Sequence, residues 1–291
     1  MANKIPDSEL IINPDGSIFH LHLLPEQLAH TVILVGDPGR VEMVSGNFDK
    51  IEHKVSNREF VTHTGYYNKT RFSVVSTGIG TDNIDIVINE LDALVNIDLI
   101  NRTPKPEHTA LRLIRIGTSG ALQANIDVDS FVLSEYGLGM DGLLHFYKHN
   151  FTEEEVLLQE FIQQTQWQSP LNHPYLVKSS ITLFNLLKEG MNTGITATAC
   201  GFYGPQGRKL RLNTAISDLN EKLTCFKYKD KQITNFEMET SALLGLSKLL
   251  GHEAITACAI IANRIKKEYS KDYKITVDKL VKIILQRLSI S

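Results

Sequence analysis

A short run of the sequence, residues 199–208, places an aromatic side chain, an amide and a guanidinium close together. It reads ACGFYGPQGR, so Phe202 and Tyr203 precede a Gly-Pro turn, and Gln206 and Arg208 follow it. An aromatic ring offers a stacking face, while a carboxamide donates and accepts hydrogen bonds and a guanidinium only donates them. The alternative is an exposed loop in which only the turn matters. The run therefore indicates a candidate binding loop.

Two glycine-rich segments carry arginines that could bind an anion. GDPGR (36–40) ends at Arg40, and RIGTSGA (115–121) begins with Arg115. Free backbone N–H groups in glycine-rich turns and bidentate bonds from a guanidinium both suit phosphate. Alternatively, GDPG is only a turn and Arg115 is a surface charge. No P-loop pattern occurs, and GIGTDN lacks the last glycine of the dinucleotide pattern, so we do not expect a nicotinamide cofactor.

A pair of acidic residues occurs late in the chain. Glu237 and Glu239 flank Met238 in the segment EMET. Ionised carboxylates only accept hydrogen bonds, which suits the hydroxyl groups of a vicinal diol. Alternatively, the acids are ordinary residues at a helix N-terminus, where the helix dipole favours negative charge. The pair is therefore a candidate site for a sugar.

The apolar pattern predicts alternating strands and helices that would position these groups. Buried strands are predicted at 31–37, 110–116, 194–200, 233–236 and 254–262, a hairpin at 58–78, and helices at 82–97, 153–165, 179–189, 239–252 and 276–288. We expect Asp82 or Asn83 to cap its helix and residues 117–120 to form a turn. Such alternation predicts an α/β sandwich, in which ligands bind beyond the strand ends. These glycines, Arg40 and the acidic pair follow predicted strands, and Arg115 lies at the end of one.

Composition excludes several classes of protein. The chain has 291 residues and a formal net charge of -3, which gives no electrostatic basis for binding nucleic acid or an anionic membrane. Its three cysteines are widely spaced, so neither a disulfide framework nor a structural metal site is predicted. The polar N-terminus is unlike a signal peptide, and no apolar run is long enough to span a membrane. We expect a cytoplasmic protein.

Several motifs together resemble a known family. FHLHL near residue 19, GDPGR, STGIG, RIGTSGAL, GFYGPQGR and NFEMETSALLGL occur in the order and at the spacing of the nucleoside phosphorylase family. Within that family the sequence resembles the uridine phosphorylases, over nearly the whole chain. The resemblance implies a single-domain, three-layer α/β/α sandwich with a central mixed sheet. The domain would span residues 19–291, after an N-terminal extension of residues 1–18.

The resemblance also implies roles for the matched residues at the phosphate and the ribose. Phosphate would be bound by Gly36, Arg40, Arg115 and Thr118, and by Arg58 from a neighbouring subunit. Ribose would be bound by Glu237, Met238 and Glu239, with the 2′-hydroxyl on Glu239, and by His20 from the neighbour on the 5′-hydroxyl. The implied protein is therefore a homo-oligomer with shared active sites, a dimer at least, with a hexamer as the alternative.

A monovalent cation, potassium, is a further implication of the resemblance. It would lie between subunits near Glu59, Ile79 and Asn83. STGIGTDN departs here from the family's more common Gly-Gly-Pro-Ser ending, because Asn83 stands where a serine helps to bind the cation. No other metal and no organic cofactor is implied, and inorganic phosphate would be the co-substrate.

The binding loop fits uracil, the base that the resemblance implies. Uracil has an N3–H donor between two carbonyl acceptors, which an amide and a guanidinium can satisfy together. Gln206, Arg208, Phe202 and Gly120 would bind the base, and Arg208, Gln206 and Arg264 would stabilise it as it leaves. Purine-specific relatives carry Ser-Asp where this chain has Asn263 and Arg264. The implied reaction is the reversible phosphorolysis of uridine to uracil and ribose 1-phosphate in pyrimidine salvage.

Two other functions remain open on the sequence alone. One is a purine nucleoside phosphorylase or a nucleosidase of the same fold. The other is a nucleoside-binding homologue without catalytic activity. Arg40, Arg58 and Arg115 favour phosphate over water as the attacking group, and Arg264 favours a pyrimidine over a purine. Phosphate-dependent cleavage of uridine, and not of inosine, would distinguish all three.

Overall fold

A computed structural model describes residues 4–151, 154–167 and 169–290. Seven α-helices occur in the described residues: α1 (Pro38–Ser45), α2 (Thr81–Asn96), α3 (Glu155–Thr165), α4 (Ile181–Leu187), α5 (Leu219–Cys225), α6 (Thr240–Leu249) and α7 (Tyr273–Ser289). Helices α1 and α5 match no predicted helix, and each of the other five overlaps a predicted one. The predicted start of α3 at residue 153 lies outside the described residues.

The strands form one large sheet and one small hairpin. They are β1 (Thr31–Val35), β2 (Lys50–Asn57), β3 (Phe60–Tyr67), β4 (Thr70–Ser76), β5 (Ile97–Asp98), β6 (Thr103–Pro104), β7 (Arg112–Ala121), β8 (Phe131–Gly139), β9 (Tyr175–Lys178), β10 (Asn192–Thr198), β11 (Lys227–Tyr228), β12 (Lys231–Glu237), β13 (Glu253–Asn263) and β14 (Glu268–Tyr269). The large sheet has the order β11-β12-β10-β8-β13-β7-β1-β4-β3-β2, with β9 on β8 and β14 on β13.

The sheet is mixed and has helices on both faces. Strand β13 pairs parallel with β7 and antiparallel with β8. One apolar core places α2 and α6 against one face, and a second places α1, α4 and α7 against the other. Strand β1 is buried at every position, as a strand covered on both faces must be. The predicted three-layer α/β/α sandwich with a central mixed sheet is therefore confirmed.

The predicted turn at residues 117–120 is wrong. Strand β7 continues through these residues to Ala121. Its Gly117 pairs with Cys258 of β13, and its Gly120 pairs with Phe236 of β12. Pairing with two neighbouring strands outweighs the turn tendency of a Gly-Thr-Ser-Gly sequence. The segment thus offers side chains on a rigid strand where a flexible loop was expected.

The predicted cap of α2 is also wrong. The residue that caps the helix is Gly80, at φ 98°, and no side chain caps this end. Asp82 and Asn83 lie within the first turn of the helix. A positive φ favours glycine because it has no Cβ to clash with the backbone. This turn brings the N–H group of Gly80 to the edge of the candidate site described below.

The N-terminal segment packs on the domain. Leu10 and Ile18 are buried in the same core as α2, and the backbone N–H of Ile5 donates to Arg102 O at 2.8 Å. The proposed division between an extension at 1–18 and a domain at 19–291 stays a prediction. In the described ranges, no helix combines the length and the apolar character needed to cross a membrane.

Candidate active site

Six strands contribute to the border of a cavity of about 900 Å³. The segments after β1, β4 and β10, the last residues of β12 and the strands β7 and β13 all contribute lining residues. Among the residues predicted for phosphate, four line it: Gly36, Arg40, Arg115 and Thr118. The structure therefore brings together motifs that are up to about 200 residues apart in the sequence.

Arg115 lies at the buried end of this cavity. Only 4% of its surface is exposed, and its Nη1 lies 3.3 Å from Glu237 Oε2 while its Nη2 bonds Glu239. Burial alone would lower the pKa of Arg115, but the charges of Glu239 and Glu237 outweigh it and raise this pKa. Its Nε has no hydrogen-bond partner among the described residues. Arg115 is therefore a fixed cation with a donor still unsatisfied.

Arg40 adds a second positive charge to the same region. Burial, together with the charge of Arg115, lowers the pKa of Arg40. Both causes disfavour the charged form of Arg40, and a bound anion would offset them. Gly36 and Thr118 line the cavity beside these arginines. This end of the cavity is thus suited to a phosphate ion.

Gly117 provides the space that the Arg115 guanidinium occupies. A Cβ at this position would lie 2.0 Å from Arg115 Nη1 and 3.1 Å from Cys258 Sγ. We expect Gly117→Ala to displace the guanidinium and to raise the KM for phosphate about tenfold or more, because one charge-assisted contact would be lost. Steady-state kinetics with varied phosphate would measure this effect. Gly204→Ala is the control, since no heavy atom lies within 4 Å of its added Cβ; an equal effect of both changes would contradict the prediction.

The two glutamates at the end of β12 have different surroundings. The Glu237 carboxylate accepts bonds from the backbone N–H groups of Glu239 and Thr240, at 3.0 to 3.1 Å, and from Thr198 Oγ1 at 2.9 Å. Burial is the main cause that raises the pKa of Glu237. Glu237 thus holds the start of α6 in place.

Glu239 faces the cavity between two other segments. Its Oε1 accepts the N–H of Gly80 at 2.8 Å, and its Oε2 accepts from Arg115. Met238 also lines the cavity. Because a carboxylate oxygen can accept more than one hydrogen bond, Glu239 retains capacity for a hydroxyl group. Of the two glutamates, Glu239 is the better placed to bind a sugar.

The predicted base-binding residues contact the end of β12 through a backbone carbonyl, whereas Arg115 contacts it through carboxylates. Gln206 Nε2 lies 3.5 Å from Glu237 O. Arg208 donates to Gln206 Oε1 and to Phe202 O, and its guanidinium lies 3.7 Å from the centroid of the Phe202 ring. Gly120 lines the same cavity. The amide, the guanidinium and the ring that the sequence suggested are thus held as one unit.

Two arginines give this unit a positive charge. Burial and the charge of Arg264 lower the pKa of Arg208 to about 10, which leaves it charged at neutral pH. The Arg264 guanidinium lies 5.4 Å from the Phe236 ring centroid, and its Nη1 lies 3.4 Å from Gln206 O. This part of the cavity can therefore stabilise negative charge on a flat ligand.

Asn263 does not line the cavity, although its neighbour Arg264 does. Its Nδ2 donates to Gln123 O at 3.0 Å and Ile126 O at 2.8 Å, and its Oδ1 accepts two backbone N–H groups. Only Arg264 can therefore contact a ligand directly. Asn263 fixes the backbone from which Arg264 extends.

We expect Asn263→Asp to confer no cleavage of purine nucleosides. The new carboxylate would face two carbonyl oxygens, so the variant should lose roughly 1–3 kcal/mol of stability. Urea unfolding and an inosine cleavage assay would measure the two effects. Asn150→Asp, the same change at an exposed position, is the control for added charge. Inosine cleavage by Asn263→Asp would show that the side chain reaches the ligand after all.

His20 and Arg58 lie outside the cavity of their own chain. His20 Nδ1 is 2.6 Å from Glu90 Oε1, and Asn57 Nδ2 donates to His20 O at 2.8 Å. Arg58 is exposed and lies 5.5 Å from the centroid of the Phe19 ring. The two side chains therefore share one surface region, and neither contacts the other predicted residues.

The residues predicted for a monovalent cation do line the cavity. Glu59, Ile79 and Asn83 all contribute to its wall. Asn83 Nδ2 donates to Ile79 O at 3.4 Å, so an amide nitrogen, and not an oxygen, faces this carbonyl. Potassium needs oxygen ligands, as hard cations do. This donor set fits a cation poorly, and the potassium site stays a prediction.

Some lining residues were not predicted from the sequence. Phe236 packs beneath both Arg208 and Arg264, with centroid distances of 5.8 and 5.4 Å. Ser119 and Tyr269 also line the cavity. Phe236 immediately precedes Glu237 in NFEMET, so the position of this motif at a strand end was the available signal. Nothing in the sequence around Tyr269 indicated that β14 would return to the site.

Comparison with known proteins shows what the whole chain is similar to. Residues 30–288 match the family model of the phosphorylase superfamily. A uridine phosphorylase of Thermococcus kodakarensis is 29% identical, over 93% of this chain and 86% of that protein. A uridine phosphorylase of Escherichia coli is also 29% identical, over 93% of this chain and 96% of that protein. A nucleoside phosphorylase structure from Trypanosoma brucei, which shows uridine phosphorylase activity, is 29% identical with a TM-score of 0.89, over 97% and 100% of the two chains.

Proposed function

Because this chain belongs to the phosphorylase superfamily, we propose that it is a uridine phosphorylase, a pentosyltransferase that converts uridine and phosphate to uracil and ribose 1-phosphate. One observation carries the proposal. The end of β12 contacts Arg115 through Glu237 and Glu239, and contacts Gln206 through Glu237 O. A phosphate site and a base site are thereby held on either side of a carboxylate that suits ribose.

The phosphate end accounts for the attacking group. Phosphate bound by Arg40 and Arg115 would form a bond from one of its oxygens to C1′ as the bond from C1′ to N1 breaks. Holding the two reactants in this geometry lowers the entropic barrier to their reaction. The negative charge of phosphate also stabilises the positive charge that develops on the sugar. Glu239 would accept a hydrogen bond from the ribose and hold C1′ in place.

The base end accounts for the leaving group. The electron pair of the broken bond passes to uracil, whose ring then carries negative charge until it takes a proton from solvent. Arg208 and Arg264 supply fixed positive charge at this point, and the Gln206 amide matches the N3–H and an adjacent carbonyl. Charged donors placed before the reaction are an effective source of transition-state stabilisation. The proposed reaction is reversible, as expected for pyrimidine salvage.

The purified protein should cleave uridine only when phosphate is present. The assay would follow uridine absorbance with and without phosphate, with inosine in parallel. Cleavage of inosine would assign the chain to the purine nucleoside phosphorylases, and cleavage without phosphate would make it a nucleosidase. Uridine binding without cleavage would make it an inactive homologue. A cytoplasmic location is part of the proposal and remains to be tested.

We further propose that active sites are shared between copies of the chain in a homo-oligomer, at least a dimer. The position of His20 and Arg58 on one surface region, away from their own cavity, supports this. Arg58→Ala and Arg208→Ala would each inactivate a different half of a shared site. Co-expressed in equal amounts, the two variants should assemble at random, so that half of the dimers are mixed. Each mixed dimer has one intact site of two, and total activity should return to about a quarter of normal.

The control is co-expression of Arg40→Ala with Arg208→Ala. Both of these residues line the cavity of one chain, so no mixed oligomer has an intact site. Turnover per mole of chain, measured for each pair and for each variant alone, gives the comparison. Equal activity of the two pairs would show that each chain has a complete site.

A further inference from the structure

A second cavity of about 660 Å³ lies on the other side of the 202–208 loop. Its wall contains Met140, Trp167 and Leu171, and residues 210–216 form another part of the same wall. Cavities of roughly 300–1,000 Å³ with mainly apolar walls are typical sites for small molecules. Leu210 and Leu212 of this wall are 73% and 84% exposed, so large apolar side chains stand at the cavity without a covering partner in this chain. The cavity therefore has the size and the lining of a ligand site.

The charges of the wall have one sign. Arg208 and Arg211 both line the cavity, and no aspartate or glutamate is among its lining residues. Arg211 is exposed, and no ion pair is seen for it in the part of the chain that the structure describes. An apolar wall with unneutralised guanidinium groups at its edge is complementary to a molecule that has an apolar body and an anionic group. A neutral or cationic ligand would leave this charge unmatched.

We propose that this cavity binds a small aryl-alkyl carboxylate, with the ring against Trp167 and Ile216 and the carboxylate on Arg211. Arg208 alone among the described residues lines both this cavity and the candidate active site. A ligand here would therefore lie directly behind the proposed base-binding unit. The proposal does not depend on the reaction assigned to the first cavity, because binding can be measured without any nucleoside.

The test uses 4-phenylbutyrate as the probe and the full-length protein. Trp167 is the chain's single tryptophan and lines the cavity, so its emission is sensitive to a ligand there. Trp167 also lines a smaller neighbouring cavity of about 230 Å³, which Arg211 does not line, so the Arg211 variant distinguishes the two. We expect a saturable change in Trp167 emission, with a dissociation constant on the order of 1 mM for a probe of this size. Calorimetry should give the same value. Absence of saturable binding would overturn the proposal and would favour a neighbouring copy as the occupant of the cavity.

Matched variants and a matched neutral probe test the role of charge. Arg211→Ala should weaken 4-phenylbutyrate about fivefold, as expected for an exposed ion pair, and should leave 4-phenylbutan-1-ol unchanged. Lys209→Ala is the control, because it removes a nearby exposed cation that does not line the cavity. Neither Arg211 nor Lys209 belongs to the proposed catalytic site, so uridine cleavage should persist in both variants. Equal weakening by both changes, or equal affinity for the acid and the alcohol, would overturn the assignment to a carboxylate.

Discussion

Arg208→Ala should lower kcat/KM for uridine by about 10²–10³-fold. The side chain bonds Gln206 Oε1 and Phe202 O and lies 3.7 Å from the Phe202 ring centroid, so its loss removes a charged donor and frees the amide that it orients. Removal of one such preorganised donor typically costs this much in rate. Because negative charge develops on the base mainly in the transition state, we expect kcat to fall more than the affinity for uridine. Steady-state kinetics with varied uridine at saturating phosphate would measure both.

Arg211→Ala is the matched control for this loss. It removes an arginine three residues away that lies outside the candidate active site, and its kcat/KM should stay within about twofold of normal, since a surface substitution rarely affects a distant site. Thermal unfolding of both variants would exclude a difference in folding. Near-normal turnover by Arg208→Ala would remove Arg208 from the proposed mechanism.

Arg115→Ala should abolish saturation by phosphate and destabilise the fold by roughly 3–5 kcal/mol. Removal of one partner of a buried ion pair leaves the other charge without compensation, and here two buried carboxylates, Glu237 and Glu239, would be affected. Urea unfolding would measure the stability, and kinetics with varied phosphate would measure the binding. Lys282→Ala on α7 is the control, because its ion pair with Asp278 is exposed and its loss should cost at most about 1 kcal/mol.

The stability lost in Arg115→Ala should depend on pH in a known direction. Burial raises the pKa of Glu237, the charge of Arg115 opposes this shift, and Glu239 adds to it. Without Arg115 the pKa of Glu237 would rise further. A carboxyl group with a raised folded-state pKa binds its proton more tightly in the folded chain, so stability increases as pH falls through that pKa towards the lower pKa of the unfolded chain. The difference in unfolding free energy between the normal protein and Arg115→Ala should therefore be largest at neutral pH and smaller in acid. A difference that is constant, or that grows in acid, would contradict this account.

The sequence predicted the strands and the chemistry of the site better than it predicted side-chain directions. Continuous apolar runs, such as the one that became β1, identify buried strands, and functional groups in α/β proteins follow such strands. Arg40, Gln206 and Arg208 each follow a predicted strand, and all three line one cavity. Their convergence also depends on the antiparallel pairing of β12 with β7, because β10 and β12 run parallel to β8, which is antiparallel to β13.

Two features of the site could not be read from local sequence. Asn263 and Arg264 are adjacent, yet only Arg264 lines the cavity, because Asn263 bonds the backbone of residues 123–126. Glu237 and Glu239 resemble each other in sequence, yet Glu237 holds backbone N–H groups while Glu239 bonds Gly80 and Arg115. These differences arise from tertiary contacts that no window of the sequence contains. The same holds for residues 117–120, whose strand conformation comes from pairing with β13 and β12.

The contacts of Glu239 also bear on how the chain is synthesised. Its two hydrogen bonds reach back 159 residues to Gly80 and 124 residues to Arg115. At translation rates of about 5–20 residues per second, Arg115 would leave the ribosome roughly 6–25 s before the carboxylate that neutralises it. During that interval the central strand β7 carries an unpaired charge that disfavours burial. The middle of the sheet should thus be unable to close on the nascent chain until Glu239 and then β13, which lies between β8 and β7, have been made.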